Sequence, residues 1–116
     1  VDIGNIKCPV CGKVMTPVAC KCNACDIRME GEFSTPVLSR LTPEDQALII
    51  AFIRAFGSIK KIQELLGVSY PTARSRIAEL VKKLDSAMES SSNRRDHVID
   101  KLYKGEITFE KALEEL

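Results

Sequence analysis

The sequence predicts a mainly α-helical protein with a small cysteine-rich unit in front, a central bundle of short helices and a helical hairpin at the end. Three observations predict it. All five cysteines fall between Cys8 and Cys25, and the rest of the 116 residues have none. Apolar residues beyond Pro36 recur at helical spacing, with Ser or Thr ahead of several runs and Gly behind them. Trp is absent and only two Tyr occur, so the body is built on Leu, Ile and Ala.

The elements follow in order. Residues 1–33 are turn-rich, and short strands at Lys13–Met15 and Ile27–Glu30 are expected to pair there. Ser34-Thr35-Pro36 links this unit to the helices. Thr42 is a good N-cap, with Pro43 at the first helical position and Glu44-Asp45 in the first turn. That helix is expected to reach about Phe56. Its centre, Ala47 to Ile53, is apolar on all sides, the pattern of a helix buried on more than one face. Gly57 ends it, and Ser58 caps a second helix, Ile59–Leu66. After Gly67-Val68, Ser69 caps a third helix from Tyr70 to about Leu84, with Ala73, Ile77, Leu80, Val81 and Leu84 as its buried stripe. Residues 85–95 read as a linker. A helix from about Asp96 to Lys104 and another capped by Thr108 complete the chain, which shows no internal repeat. The expected units are therefore 1–33, 34–84, the linker 85–95, and 96–116.

The formal charge of +1 argues against a protein that coats nucleic acid by charge alone. The average hides a sorted chain. Residues 54–83 hold seven cations against two carboxylates, whereas residues 84–116 carry a net −3. The longest apolar run has seven residues, far below the ~20 of a spanning helix, and no targeting segment is read. A cytoplasmic protein with no membrane partner is expected. In a reducing compartment clustered cysteines favour metal over disulfides.

The cysteine spacing is Cys8-x2-Cys11-x10-Cys22-x2-Cys25, the layout of a zinc ribbon. Two residues between ligands let backbone N–H groups point at the thiolates while both sulfurs reach one tetrahedral centre. Gly12 suits the left-handed backbone such a turn uses. The metal ligands are expected to be Cys8, Cys11, Cys22 and Cys25, and the cofactor structural zinc. Iron in the same four-sulfur set and disulfides are the alternatives. Cys20 is read as a fifth thiol outside the set. Four thiolates leave no open position for catalysis.

Segment 58–84 reads as a helix-turn-helix. Gly67 allows the turn, Val68 plugs the angle between the helices, and Ser69 caps the second. That second helix, Tyr70 to Leu84, presents polar first turns as a recognition helix does in the major groove. The expected DNA contacts are Lys60, Lys61, Ser69, Tyr70, Pro71, Thr72, Arg74, Ser75, Arg76 and Lys82. Arg bonds guanine edges or phosphate, and Ser and Thr do either more weakly. The alternative is a helical hairpin that docks a protein or RNA partner.

Taken together, Cys8-Pro9-Val10-Cys11-Gly12, Cys22-Asn23-Ala24-Cys25, Glu30-Gly31-Glu32-Phe33 and Leu66 to Arg74 carry a resemblance. The chain resembles uncharacterised bacterial and archaeal proteins that join a zinc ribbon to a helix-turn-helix similar to sigma-factor region four and the LuxR/GerE regulators. The tail from Ile99 to Leu116 resembles short C-terminal helical modules used for oligomerisation. The resemblance implies a DNA-binding regulator. Cys20 stands where the family tends to have an apolar residue, and Asp26 where Gly is common. The expected protein is thus a zinc-stabilised transcriptional regulator that binds double-stranded DNA as a homodimer or higher homo-oligomer, with a possible RNA polymerase contact. A zinc-ribbon adaptor for protein or RNA is the second reading. No enzyme is expected: the single His97 lies in the tail, and no nucleophile–base pair or phosphate loop occurs.

Overall fold

In the computed structural model, residues 6–91 and 93–116 are described. The front unit, residues 6–33, is held by turns and a two-stranded antiparallel sheet. Strand β1 (Ala19–Lys21) pairs with β2 (Arg28–Glu30), with Cys20 opposite Met29 and Lys21 opposite Arg28. The second expected strand is present, but its partner is not Lys13–Met15. Of that stretch only Val14 pairs, as an isolated bridge to Lys7. Each cysteine turn folds its own flanks against each other, so pairing occurs across a turn and not between turns. No described residue of this unit is buried.

A short 3-10 helix, Val37–Arg40, leads into five α-helices. Helix α1 (Pro43–Arg54) is capped by the Thr42 hydroxyl, which accepts from the Asp45 N–H at 3.2 Å. It stops two residues earlier than expected, because Phe56 and Gly57 both take positive φ. The expectation of burial on more than one face fails. No residue of α1 is buried, and Ile50 and Ile53 are exposed. Only one side of α1 meets the rest of the bundle, through Leu48, Ala51 and Phe52.

Helix α2 (Ile59–Leu66) begins at the Ser58 cap and ends at Gly67, which is left-handed at φ 65°. Helix α3 (Tyr70–Glu89) begins at the Ser69 cap. The core of the three helices is Ala55, Ile62 and Ala73, with Ile59 and Val68 packed against it. Ile62 and Ala73 have no exposed surface. The small Cβ of Ala73 lets α3 approach α2 closely, and Val68 fills the angle between them as its place in the turn suggests.

Two differences concern α3. It continues through Glu89, because residues 85–89 contain no Gly or Pro to stop it, so most of the stretch read as linker is helical. Its buried side is Ala73 and Leu80, with Ile77 and Leu84 half-buried, whereas Val81 is 50% exposed.

Helix α4 (Arg94–Tyr103) starts at the Asn93 cap, and α5 (Phe109–Glu115) at Thr108. Val98 and Ala112 are their buried residues of apolar type. Asp96 ties α4 to the body. It is 2% exposed, accepts from Arg40 Nη2 at 3.2 Å, and accepts from the Ser91 hydroxyl. The Nε of Arg40 is buried without an acceptor among the described residues. Asp96→Ala is expected to destabilise the protein by about 1–3 kcal/mol, because it strips the acceptor from a buried hydroxyl and a partly buried guanidinium. Urea denaturation measures it.

The radius of gyration is 17.3 Å, larger than the ~13 Å of a single compact body of this length. No helix among the described residues is long and apolar enough to cross a membrane.

Candidate metal turns and nucleic-acid interface

The two Cys-x2-Cys segments share one backbone hydrogen-bond pattern. The Cys8 N–H donates to the Lys13 carbonyl at 2.8 Å, and the Cys22 N–H to the Ile27 carbonyl at 2.8 Å. The Gly12 N–H donates to the Cys8 carbonyl at 2.9 Å, and the Asp26 N–H to the Cys22 carbonyl at 2.9 Å. Gly12 has φ 74° and Asp26 φ 60°. Asp is among the few non-glycine residues that accept this conformation readily. An ion pair from Lys21 at 2.9 Å holds its carboxylate. The turn is therefore repeated in structure at an offset of fourteen residues. This corrects the expectation of no internal repeat, and the sequence carries the signal: Lys-Cys-x2-Cys-x3-Met occurs at Lys7–Met15 and again at Lys21–Met29.

In both turns the first sulfur is an acceptor. The Val10 N–H reaches Cys8 Sγ at 3.4 Å, and the Cys25 N–H reaches Cys22 Sγ at 3.4 Å. Backbone N–H groups of Cys11 and then Val10 hold the Cys8 thiol below the ordinary cysteine range. Those of Cys25 and then Ala24 do the same for Cys22. A donor aimed at sulfur favours thiolate, the form that ligates a metal.

The cysteines stand as two pairs. Among the described residues no three His, Cys, Asp or Glu side chains gather about one point. All five cysteines are free thiols, and Cys20 is exposed on β1. The donor chemistry fits zinc, since each pair offers soft sulfur ligands on a turn with a backbone N–H already directed at the first of them. The absence of any buried residue from 6–33 fits as well, because apolar burial does not hold this unit together. His97 is exposed on α4.

The second candidate site lies on α2 and α3. All ten residues expected to touch DNA are exposed: Lys60, Lys61, Ser69, Tyr70, Pro71, Thr72, Arg74, Ser75, Arg76 and Lys82. None of the five cations among them appears in an ion pair of the described residues, whereas Lys83 is held by Asp45 at 3.1 Å. The structure separates their roles. The Ser69 hydroxyl accepts from the Thr72 N–H at 3.4 Å and shares a 2.8 Å bond with the Thr72 hydroxyl, so both are engaged in the cap. Arg76 lines a cleft of about 640 Å³ with Glu44, Asp45 and Lys83. Arg74 is not among that cleft's walls and stands clear on the first turns of α3.

Helices at 59–66 and 70–89, joined by a left-handed Gly67 and packed on a third helix through Ile62 and Ala73, form a helix-turn-helix. Residues 41–87 match the model of a family described as a domain of unknown function (DUF2089)-HTH. This DUF2089 match runs from the residue before the Thr42 cap to the last turns of α3. It spans α1, α2 and nearly all of α3, and covers less than half of the chain. The front cysteine unit and the α4–α5 hairpin lie outside it. No curated protein and no solved structure matches the chain.

Proposed function

We propose that the protein is a DNA-binding transcriptional regulator that reads the major groove with the first turns of α3. The observation that carries this reading is the set of exposed, unpaired cations on the helix-turn-helix, Lys60 and Lys61 on α2 with Arg74, Arg76 and Lys82 on α3. Cations already tied to carboxylates have little to offer phosphate, and these five are not. Lys60 and Lys61 lie in the first turn of the helix that crosses the backbone. Arg74 and Ser75 lie where a recognition helix meets base edges. Cys8, Cys11, Cys22 and Cys25 hold a structural zinc in this reading, and the protein acts as a homodimer and not as an enzyme. The zinc unit serves as a docking surface for DNA or RNA polymerase.

Arg74→Ala is expected to weaken duplex binding by about 1–3 kcal/mol and to flatten its sequence preference. Fluorescence anisotropy on fragments selected from genomic DNA measures both. Lys60→Ala is expected to weaken all sequences alike and to lower the salt slope by about one. The absence of duplex binding at low salt by the intact, zinc-loaded protein would overturn the reading. Tight capture of a protein partner without DNA would favour the adaptor.

A further inference from the structure

A pocket of about 520 Å³ lies where the front unit meets the helices, within the size range of sites that take a small organic ligand. Its walls come from the front unit, from Ser34 and Thr35 ahead of the 3-10 helix, and from the corner between α3 and α4. Among the described residues that line it, Arg40 is the one with a formal charge. Arg40 is fixed in place and mostly unspent. Asp96 takes one Nη2 donor at 3.2 Å, the Nε–H is buried without an acceptor among the described residues, and 27% of the side chain stays open. A guanidinium offers five N–H donors in a rigid fork that suits carboxylate or phosphate oxygens. Asn93 lines the same pocket. Its Oδ1 accepts from the Arg95 N–H at 2.9 Å to cap α4, which leaves its NH2 as a further donor. Ser34 and Thr35 add hydroxyls, and Met15, Pro17 and Phe33 give the wall an apolar part.

We infer that this pocket binds a small phosphate monoester, with the phosphate on Arg40 and Asn93 and the organic body against Met15, Pro17 and Phe33. The sign of the ligand follows from the walls. No carboxylate lines the pocket among the described residues, so nothing there attracts a cation. Its charge follows from the surroundings. Asp96 offsets Arg40, but Arg94 and Arg95 come directly after Asn93 in the first turn of α4, exposed and in no ion pair of the described residues. Cations at the start of a helix have the unfavourable sign, and a bound anion relieves them. Two unmatched positive charges suit a dianion, and a phosphate monoester carries roughly −1.5 to −2 at neutral pH. Its oxygens also accept from several donors at once, as a guanidinium, an amide and two hydroxyls demand. A bare phosphate ion would leave the apolar part of the wall unused. The pocket shares no residue with the ten candidate DNA contacts, so the inference goes beyond the DNA reading and does not depend on it. Because the walls join the front unit to the helical body, an occupant would tie the two together.

The test titrates the full zinc-loaded chain with phenyl phosphate, and in a second arm with inorganic phosphate, followed by proton–nitrogen correlation spectra. Phenyl phosphate is expected to shift the Asn93 side-chain amide and the Arg40 Nε–H and to slow amide exchange in residues 6–33. It is expected to bind at least ~10-fold more tightly than inorganic phosphate, because its ring leaves water. Arg40 also anchors Asp96, so the decisive variant is Asn93→Asp. Aspartate caps a helix as well as asparagine does, and it sets a carboxylate in the pocket. This variant is expected to melt no lower than the parent and to bind phenyl phosphate at least ~10-fold more weakly. Arg94→Gln combined with Arg95→Gln weakens binding and flattens its salt dependence. Equal affinity in Asn93→Asp overturns the inference, as do Asn93 and Arg40 signals that stay in place at millimolar phenyl phosphate. Inorganic phosphate that binds as tightly as phenyl phosphate reveals an adventitious ion only and overturns it too. A DNA duplex that displaces phenyl phosphate from these signals assigns the site to backbone phosphate and overturns the small-molecule ligand. A protein that binds phenyl phosphate and no duplex retains the inference and removes the DNA reading.

Discussion

Cys22→Ser is expected to unfold residues 6–33 while the helical body stays intact. The front unit has no buried residue, and its one sheet has two strands of three residues each. Hairpins of that size are marginal in water alone. In the proposed zinc form, ligation supplies the missing stability, an apparent ~10–16 kcal/mol in comparable finger peptides at neutral pH. Removing one thiolate takes away most of it. The Cys22 carbonyl and N–H also wire the second turn, but a serine keeps both, so the loss reports the sulfur. Amide hydrogen exchange should show protection lost from Lys7–Val14 and Lys21–Arg28 and retained in α2 and α3. A strong chelator should reproduce the pattern, and zinc should reverse it. Cys20→Ser should leave both regions unchanged. Equal protection in Cys22→Ser and parent, or metal analysis that finds neither zinc nor iron, would sink the metal assignment.

Ile62→Ala is expected to cost about 2–5 kcal/mol, a large part of the ~5–15 kcal/mol that holds a small domain together. Ile62 is fully buried at the centre of the cluster with Ala55 and Ala73. Its two small neighbours are main-chain neighbours in effect, so the helices have to shift to fill the void. Thermal melting in far-ultraviolet circular dichroism measures the loss. The variant should also bind DNA more weakly, because α2 and α3 lose their fixed angle. Ile62→Val should recover most of the stability, which separates packing from any surface effect.

Local chemistry made much of the fold legible. Thr42, Ser58, Ser69 and Thr108 each cap the helix they precede, because a hydroxyl followed by a helical run solves the orphan N–H problem within four residues. Gly67 takes the left-handed conformation that the turn demands. Features that depend on tertiary neighbours were not legible. The apolar run Ala47–Ile53 cannot say that a three-helix bundle covers only one of its sides. Asp96 looks like an ordinary first-turn carboxylate until Arg40, fifty-six residues earlier, is placed against it. The expected strand Ile27–Glu30 is there as β2, but its partner is Ala19–Lys21 and not Lys13–Met15, because alternation is uninformative over three residues and the repeated turns set the register. The ten candidate DNA contacts are all exposed, yet only the folded chain separates Ser69 and Thr72, held in a cap, from Arg74.

Helix α3 runs unbroken from Tyr70 to Glu89. One rod of about 30 Å therefore carries the polar first turns at one end and meets the α4–α5 hairpin at the other. The hairpin's bearing on the Arg40–Asp96 pair depends on residue count along that rod. A single residue inserted between Leu84 and Glu89 would swing everything after it by about 100°, and a whole turn of insertion would nearly restore it. Length here acts as phase.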